Sequence, residues 1–265
     1  MISFADTIEL RPAAENLWAG EADTDYSHPA GQFGGWTAAA LLKATMMEPG
    51  ERGLPLSMTV LFPDAVGAGP IEIRTRPLRA GARLQFWRAE LAQRDKVCAH
   101  AQITFGMRRE GGTSFTDAKP WDMAPPDDPR MIAFSPPTKF GEQLEGRSLP
   151  WPPDYKPGEG PALSVFWARH GKQLAMDHAL LALLADFAPP RPMIKLGRFM
   201  LSSTVSMNIY FHASAEELTA VGPDYVLNET VSRRCHGGFF DHELKLWSRS
   251  GSLLATSEQV AAFRE

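Results

Sequence analysis

The segment Leu56-Ser-Met-Thr-Val-Leu-Phe-Pro-Asp64 comes back later in the chain as Val205-Ser-Met-Asn-Ile-Tyr-Phe-His-Ala213. Each copy follows a stretch rich in small residues and leucine with helical character, Trp36 to Met46 and Gln173 to Phe187. Each is followed by alternating apolar segments that end in Val97–Phe105 and Leu253–Phe263. Internal repetition of this kind implies two like units, each a helix followed by long antiparallel strands, packed on one another. A functional site is expected where the two copies differ. The 265 residues suit two units of roughly 110 to 130 residues each.

Composition removes several function classes. A net charge of -4 gives no general pull toward nucleic acid or anionic lipid, so an anionic ligand must be met by a local patch. No segment is long and apolar enough to span a bilayer, and Met1–Leu10 lacks the basic start and apolar run of a signal peptide. Cys98 and Cys235 fall in predicted strands without metal-ligand spacing, which favours buried thiols in a reducing compartment. A cytoplasmic protein without membrane or nucleic-acid partners is expected.

Along the chain, Phe4–Leu10 and Asn16–Ala22 read as short strands, and 23–35 as a loop rich in Gly and Pro. The first helix begins at Gly34-Gly35. Strands follow near 56–62, 71–79, 84–93 and 97–107, the last with Val97, Ala99, Ala101, Ile103 and Phe105 on one face. Residues 108–137 turn to Pro, Gly, Asp and Lys and read as a linker between an N-terminal unit, 1–107, and a C-terminal unit, 138–265. In the second unit, strands are predicted at 140–147 and 163–168, then the helix, then strands at 201–211, 224–231, 239–248 and 253–263.

Three side chains stand out. Asp186 is the single charge in Ala179–Ala188, near the end of an apolar helix, where a carboxylate opposes the macrodipole and loses hydration unless donors meet it. The alternative, a solvent-facing aspartate just before Pro189-Pro190, stays open. Period-two alternation puts Gln259 on the apolar face of Leu253, Ala255, Ala261 and Phe263, where an amide needs partners; an edge-strand glutamine bonded to backbone fits as well. Thr204 precedes Val205, Met207, Ile209 and Phe211, and strict alternation turns its hydroxyl to the opposite face.

The order Phe33-Gly-Gly-Trp36, Phe62-Pro-Asp64, Leu78-Arg-Ala-Gly81, Ala185-Asp-Phe187, Ser203-Thr-Val-Ser-Met-Asn-Ile-Tyr-Phe-His212 and Gly251-Ser-Leu-Leu-Ala-Thr-Ser-Glu-Gln-Val-Ala-Ala-Phe-Arg264 resembles the TesB-type acyl-CoA thioesterases, the double hotdog family, over nearly the whole chain. The resemblance implies an α+β fold, with two antiparallel sheets each wrapped around a long central helix. It also implies hydrolysis of an acyl-CoA without metal or cofactor, and association into a homodimer or larger homo-oligomer. In that family an Asp, a Thr and a Gln jointly orient the hydrolytic water, and their positions fall on Asp186, Thr204 and Gln259. The sequence departs from the family where Ser206-Met207 replaces Asp-His and where Gly237-Gly-Phe-Phe240 replaces Ala-Arg-Gly, which bears on the acyl pocket.

The chemistry supports the same residues. Thioester hydrolysis needs a water polarised near neutral pH and donors for the charge that develops on the carbonyl oxygen. Asp186 can take the proton while Thr204 and Gln259 hold the water. The amides of Gly34 and Gly35 at a helix start are candidate substrate-binding donors, although a plain helix-entry turn also fits. Two rivals remain. Asp23 and His28, five apart before the first helix, resemble the pair of hotdog hydratases but lack the intervening Asn-Pro. An acyl-thioester binding protein without catalysis is the other. The scattered histidines give no zinc spacing, and Ser57 and Ser206 lack a nucleophile elbow.

Overall fold

The computed structural model describes residues 2–109, 111, 113–150, 158–198 and 200–264. In chain order the elements are α1 (Phe4–Thr7), β1 (Leu10–Ala14), β2 (Leu17–Ala22), a 3-10 turn (Thr24–Tyr26), β3 (Ser27–His28), β4 (Gly31–Gln32), α2 (Gly34–Met46), β5 (Leu54–Leu61), β6 (Gly69–Ala80), β7 (Leu84–Gln93) and β8 (Lys96–Gly106). The second half adds β9 (Ile132–Phe134), α3 (Lys139–Glu142), β10 (Leu144–Ser148), β11 (Ala162–His170), α4 (His178–Leu184), α5 (Arg191–Leu196), β12 (Ser202–Phe211), α6 (Ala215–Val221), β13 (Val226–Ser232), β14 (Cys235–His236), β15 (Phe239–Trp247) and β16 (Leu253–Phe263).

Two separate sheets are expected from the sequence; the structure joins the long strands of both halves in one, with the short ribbon β3-β4 apart from it. Among the described residues the strands run β1-β2-β6-β7-β8-β5-β12-β16-β15-β13-β11-β10-β9, every neighbouring pair antiparallel. The two repeated segments are what fuse the halves, because β5 pairs directly with β12. In that register Thr59 faces Asn208, its own counterpart in the repeat, and its Oγ1 donates to Asn208 Oδ1 at 2.8 Å. A local twofold axis therefore passes through this pair, as when two copies of one surface meet.

The long central helix appears once. α2 has 13 residues, but α4 has 7. Residues 173–176, predicted helical, are held otherwise by tertiary contacts. Gln173 has a left-handed φ of 51°, Ala175 forms a bridge with Ser3, and the Met176 N–H donates to Gly222 O at 2.7 Å. The helix can start only at Asp177, whose carboxylate accepts from the Leu180 N–H at 2.7 Å. α2 and α4 are apolar on nearly all sides and pack against each other at the centre of the core, so Ala38–Leu42 and Ala179–Ala185 are buried throughout.

Other expected elements shift for local reasons. Phe4–Leu10 opens as a helical turn, with the Ser3 N–H donating to the Asp6 carboxylate at 2.9 Å. The predicted strand 140–147 begins as α3, capped by Thr138, before becoming β10. The Pro- and Gly-rich stretch is not a free tether. Ile132–Phe134 pair with β10, Ala124 O accepts from Trp167 Nε1 at 2.7 Å, and Met123 and Met131 pack on Trp167, Tyr225, Leu227 and Trp247. Neither cysteine is in a disulfide, and the expected burial holds for Cys98 but not for the exposed Cys235. Among the described residues no helix is long and apolar enough to cross a membrane.

Candidate active site

The turn that ends α4 places Asp186 just past the helix, where Ala185 closes the last turn. The helix pair settles its surroundings. The N-terminus of α2 meets the C-terminus of α4, and the Gly35 N–H donates to Asp186 Oδ2 at 2.8 Å. The carboxylate thus opposes the dipole of its own helix but sits on the positive end of α2, contributed by the other half of the chain. Both glycines are needed for this approach. A Cβ on Gly35 would run into the Leu183 carbonyl, and one on Gly34 would lie 2.8 Å from Asp186 Oδ2.

Thr204 reaches the same place through an irregularity. Thr204 pairs with Ala261 and Ser206 with Val260, so Val205 is an extra residue on β12, a β-bulge. The bulge turns Val205 outward, where it is 41% exposed, and returns Thr204 to the face of Met207 and Gln259. The strict alternation read from the sequence gave the opposite face, and the extra residue is why it fails. Val205 O accepts from the Phe62 N–H at 3.1 Å, so the bulge is tied to the first half. The first repeat has its own register shift at the equivalent Leu56.

Gln259 lies on the buried face of β16, as alternation predicts. Its Nε2 donates to Ala185 O at 3.0 Å and lies 3.3 Å from Met207 Sδ. A carbonyl can only accept, which fixes the amide orientation and turns Oε1 toward Thr204. Thr204 Oγ1 stands 3.4 Å from Asp186 Oδ1 and 3.4 Å from Gln259 Oε1, with one proton for the two acceptors. Met207, standing where the resemblance led one to look for His, supports Gln259 through its sulfur. Desolvation pushes the Asp186 carboxyl up to about 7, against the polar groups of Gln259, Gly35 and Thr204 that favour the ion. Asp186 nevertheless keeps a partly accessible surface.

The structure therefore brings Asp186, Thr204 and Gln259 together and adds Gly35 to them in a role the sequence did not suggest. The Gly35 amide holds the carboxylate rather than standing free for a substrate oxygen; Gly34 supplies clearance beside it. Among the described residues the first half holds no equivalent constellation. By strand register, Pro55 takes the place of Thr204 before the register shift, and Ile103, opposite Met58, takes that of Gln259 opposite Met207. Asp23 and His28 are otherwise engaged. Asp23 Oδ1 accepts from the Asp25 N–H at 3.0 Å, and His28 Nδ1 accepts from the Ala30 N–H at 3.2 Å. Burial lowers the His28 pKa.

Two family models match in order along the chain, the acyl-CoA thioesterase N-terminal domain over residues 23–106 and the acyl-CoA thioesterase C-terminal domain over residues 115–263. The chain belongs to the TesB-type acyl-CoA thioesterases. Among solved structures, this thioesterase is similar to a hot dog-fold protein of unknown function from Alicyclobacillus acidocaldarius, 30% identical over 97% of this chain and 96% of that one, with a TM-score of 0.90. It shares its fold with the acyl-CoA thioesterase II TesB2 of Mycobacterium marinum, 18% identical over 97% of this chain and 95% of that one, at a TM-score of 0.74. The same holds for a tesB protein of Mycobacterium avium subs paratuberculosis, 18% identical over 98% and 97%, also at 0.74. Comparison with curated proteins finds no match. The thioesterase is thus a thioester hydrolase with a hotdog α+β fold.

Proposed function

We propose that the protein hydrolyses an acyl-CoA to the carboxylic acid and CoA by attack of a water held among Asp186, Thr204 and Gln259. The observation that carries this reading is a carboxylate with its pKa near 7, anchored on a helix N-terminus and flanked by a hydroxyl and an amide oxygen. Ionised Asp186 takes a proton from the water as its oxygen bonds to the thioester carbon. The resulting tetrahedral oxyanion collapses, the C–S bond breaks, and the proton on Asp186 passes to the departing thiolate. Thr204 and Gln259 orient the water and do not change charge.

The pH dependence follows from the base being active only when ionised. An ordinary aspartate would be fully ionised well below neutrality, whereas this one is raised to about 7. The kcat/KM for thiol release is expected to fall with unit slope below about pH 7 and to level off above it. A flat profile down to pH 5 would assign the proton transfer to another group. Incubation with a 2-enoyl-CoA separates the hydratase reading: free thiol supports hydrolysis, and a hydroxyacyl-CoA with intact thioester supports Asp23 and His28.

The bulge offers a second test. Deleting Val205 puts Thr204 directly before Ser206 in a regular register that keeps it on the face of Met207, so kcat is expected to fall far less than in Thr204→Val, which should lose on the order of 10- to 100-fold. Steady-state kinetics on protein shown by circular dichroism to be folded reads this. A folded deletion variant as impaired as Thr204→Val would mean that the register on either side of Val205 does not by itself aim the hydroxyl.

A further inference from the structure

Past Asp186 the chain runs through Phe187, Ala188, Pro189 and Pro190 into α5. The two prolines carry no N–H, and although the Ala188 N–H donates to Asp186 O at 3.1 Å, the carbonyls of Phe187 and Pro189 take their donors from side chains. Two wholly buried side chains supply them. Asn228 Nδ2 on β13 donates to Phe187 O at 2.8 Å. Arg191 donates through Nε to Pro189 O at 2.9 Å, and through Nη2 to the same oxygen. Its Nη1 reaches Thr230 O and Ser164 Oγ, both at 3.0 Å, so one guanidinium joins the turn to β13 and β11. Thr230 Oγ1 in turn donates to Asn228 Oδ1 at 2.6 Å, which fixes the amide.

Arg191 is 1% exposed and all its partners are neutral oxygens, with no carboxylate paired to it among the described residues. An unpaired buried cation costs several kcal/mol and is a poor choice for stability alone. What a planar five-donor fork supplies, and an apolar side chain of similar volume does not, is a fixed geometry between a turn and two strands. That geometry matters here because both contacts of Thr204 are 3.4 Å long, at the limit of a hydrogen bond. Even a 1 Å drift of the Asp186 turn would break them.

We propose that Arg191 is a positioning residue for the hydrolysis, its guanidinium acting with Asn228 to fasten the backbone just past Asp186 to β13 and so to fix the carboxylate against Thr204 and Gln259. This rests on Asp186 being the base. The groups facing Asp186 are Gly35 from α2, Thr204 from β12 and Gln259 from β16, all uncharged. The titratable group beside Arg191 is His242, in register opposite Gln259 on β15. Burial pushes its pKa down to about 3, so it brings no second charge near neutrality.

The test compares Arg191→Lys and Arg191→Met with the parent. Each is expected to lower kcat about 10- to 100-fold with KM little changed, and to move the acid limb of the pH profile downward as water reaches the loosened carboxylate. A readout independent of turnover comes from adding Asp186→Asn in both backgrounds and measuring melting at pH 8. The stabilisation that Asn gives in the parent should shrink in the Arg191 variants. If melting temperature falls while kcat, the pH midpoint and the effect of Asp186→Asn all stay parental, Arg191 is a structural tie and the proposal is overturned. Full activity of Asp186→Asn in the parent background would instead remove the base assignment, while the melting comparison still shows whether Arg191 controls that carboxylate. Should neither Arg191 variant fold, Asn228→Ser, which removes the bond to Phe187 together with the one from Thr230, must reproduce both effects or the clamp is wrong.

Discussion

Asp186→Asn is expected to lower kcat on an acyl-CoA by about 10²- to 10⁴-fold, the range for loss of a general base, and at the same time to raise the melting temperature at pH 8. The amide has the same shape. Its oxygen can accept from the Gly35 N–H, and its nitrogen can donate to Thr204 Oγ1 or Gln259 Oε1, so the fold has no reason to change. What disappears is a desolvated charge. In the folded state the pKa is raised from 3.8 to about 7. Below pH 4 both states hold the proton and no cost arises. As pH climbs through 7 the folded state must ionise a buried group, and the stability contributed by the neutral form is lost. That cost is about 2 to 4 kcal/mol, lessened by the part of Asp186 that water still reaches. The variant should therefore melt several degrees above the parent at pH 8 and level with it near pH 4. Stability set against function in one side chain is the pattern expected of a catalytic acid or base. Equal melting at both pH values would show the carboxylate to be solvated, and retained turnover would move the base elsewhere.

How far the site was legible depended on the range of the interaction that made it. Gln259 could be read from alternation because β16 is regular from Ala255 onward and its buried face carries residues 255, 257, 259 and 261. The strand Leu84–Gln93 falls where the pattern puts it, for the same reason. Thr204 could be named through family likeness but not aimed, since period-two counting has no term for an extra residue, and only the pairing with β16 reveals Val205 as one. The start of α4 was misplaced although Asp177 is an ordinary N-cap signal, because the preceding residues carry good helix formers and lose to pairing with the N-terminal segment and Gly222. The role of Gly35 was out of reach altogether. It depends on a contact spanning 151 residues, created when α2 packs alongside α4 with its N-terminus against the other's C-terminus. The duplication did announce where to look: two like halves meet on a twofold axis, and chemistry collects where Pro55 and Ile103 have become Thr204 and Gln259.

That long-range contact carries the second large expected effect. Gly35→Ala should cost the enzyme most of its turnover, at least about 100-fold, and also destabilise it by roughly 1 to 3 kcal/mol, as overpacking of a close-packed interior does. The added methyl would collide with the Leu183 carbonyl, part of the rigid end of α4, and would sit 2.9 Å from the Phe33 ring and 3.1 Å from Asp186 Cβ. Backbone cannot rotate aside as a side chain can, so the two helices must separate. Separation lengthens the 2.8 Å bond from the Gly35 N–H to Asp186, and the carboxylate loses the amide and the helix terminus together. Gly34→Ala makes a useful contrast. Its methyl meets the Asp186 Oδ2 atom at 2.8 Å and the Phe62 ring at 3.5 Å, groups that can yield, so it should melt closer to the parent yet still turn the carboxylate and lose activity. Thermal melts and kcat on the two variants distinguish these. A Gly35→Ala enzyme with parental melting and turnover would mean that the helices have slack at their contact, and that Asp186 is held by Thr204 and Gln259 without help from the first half of the chain.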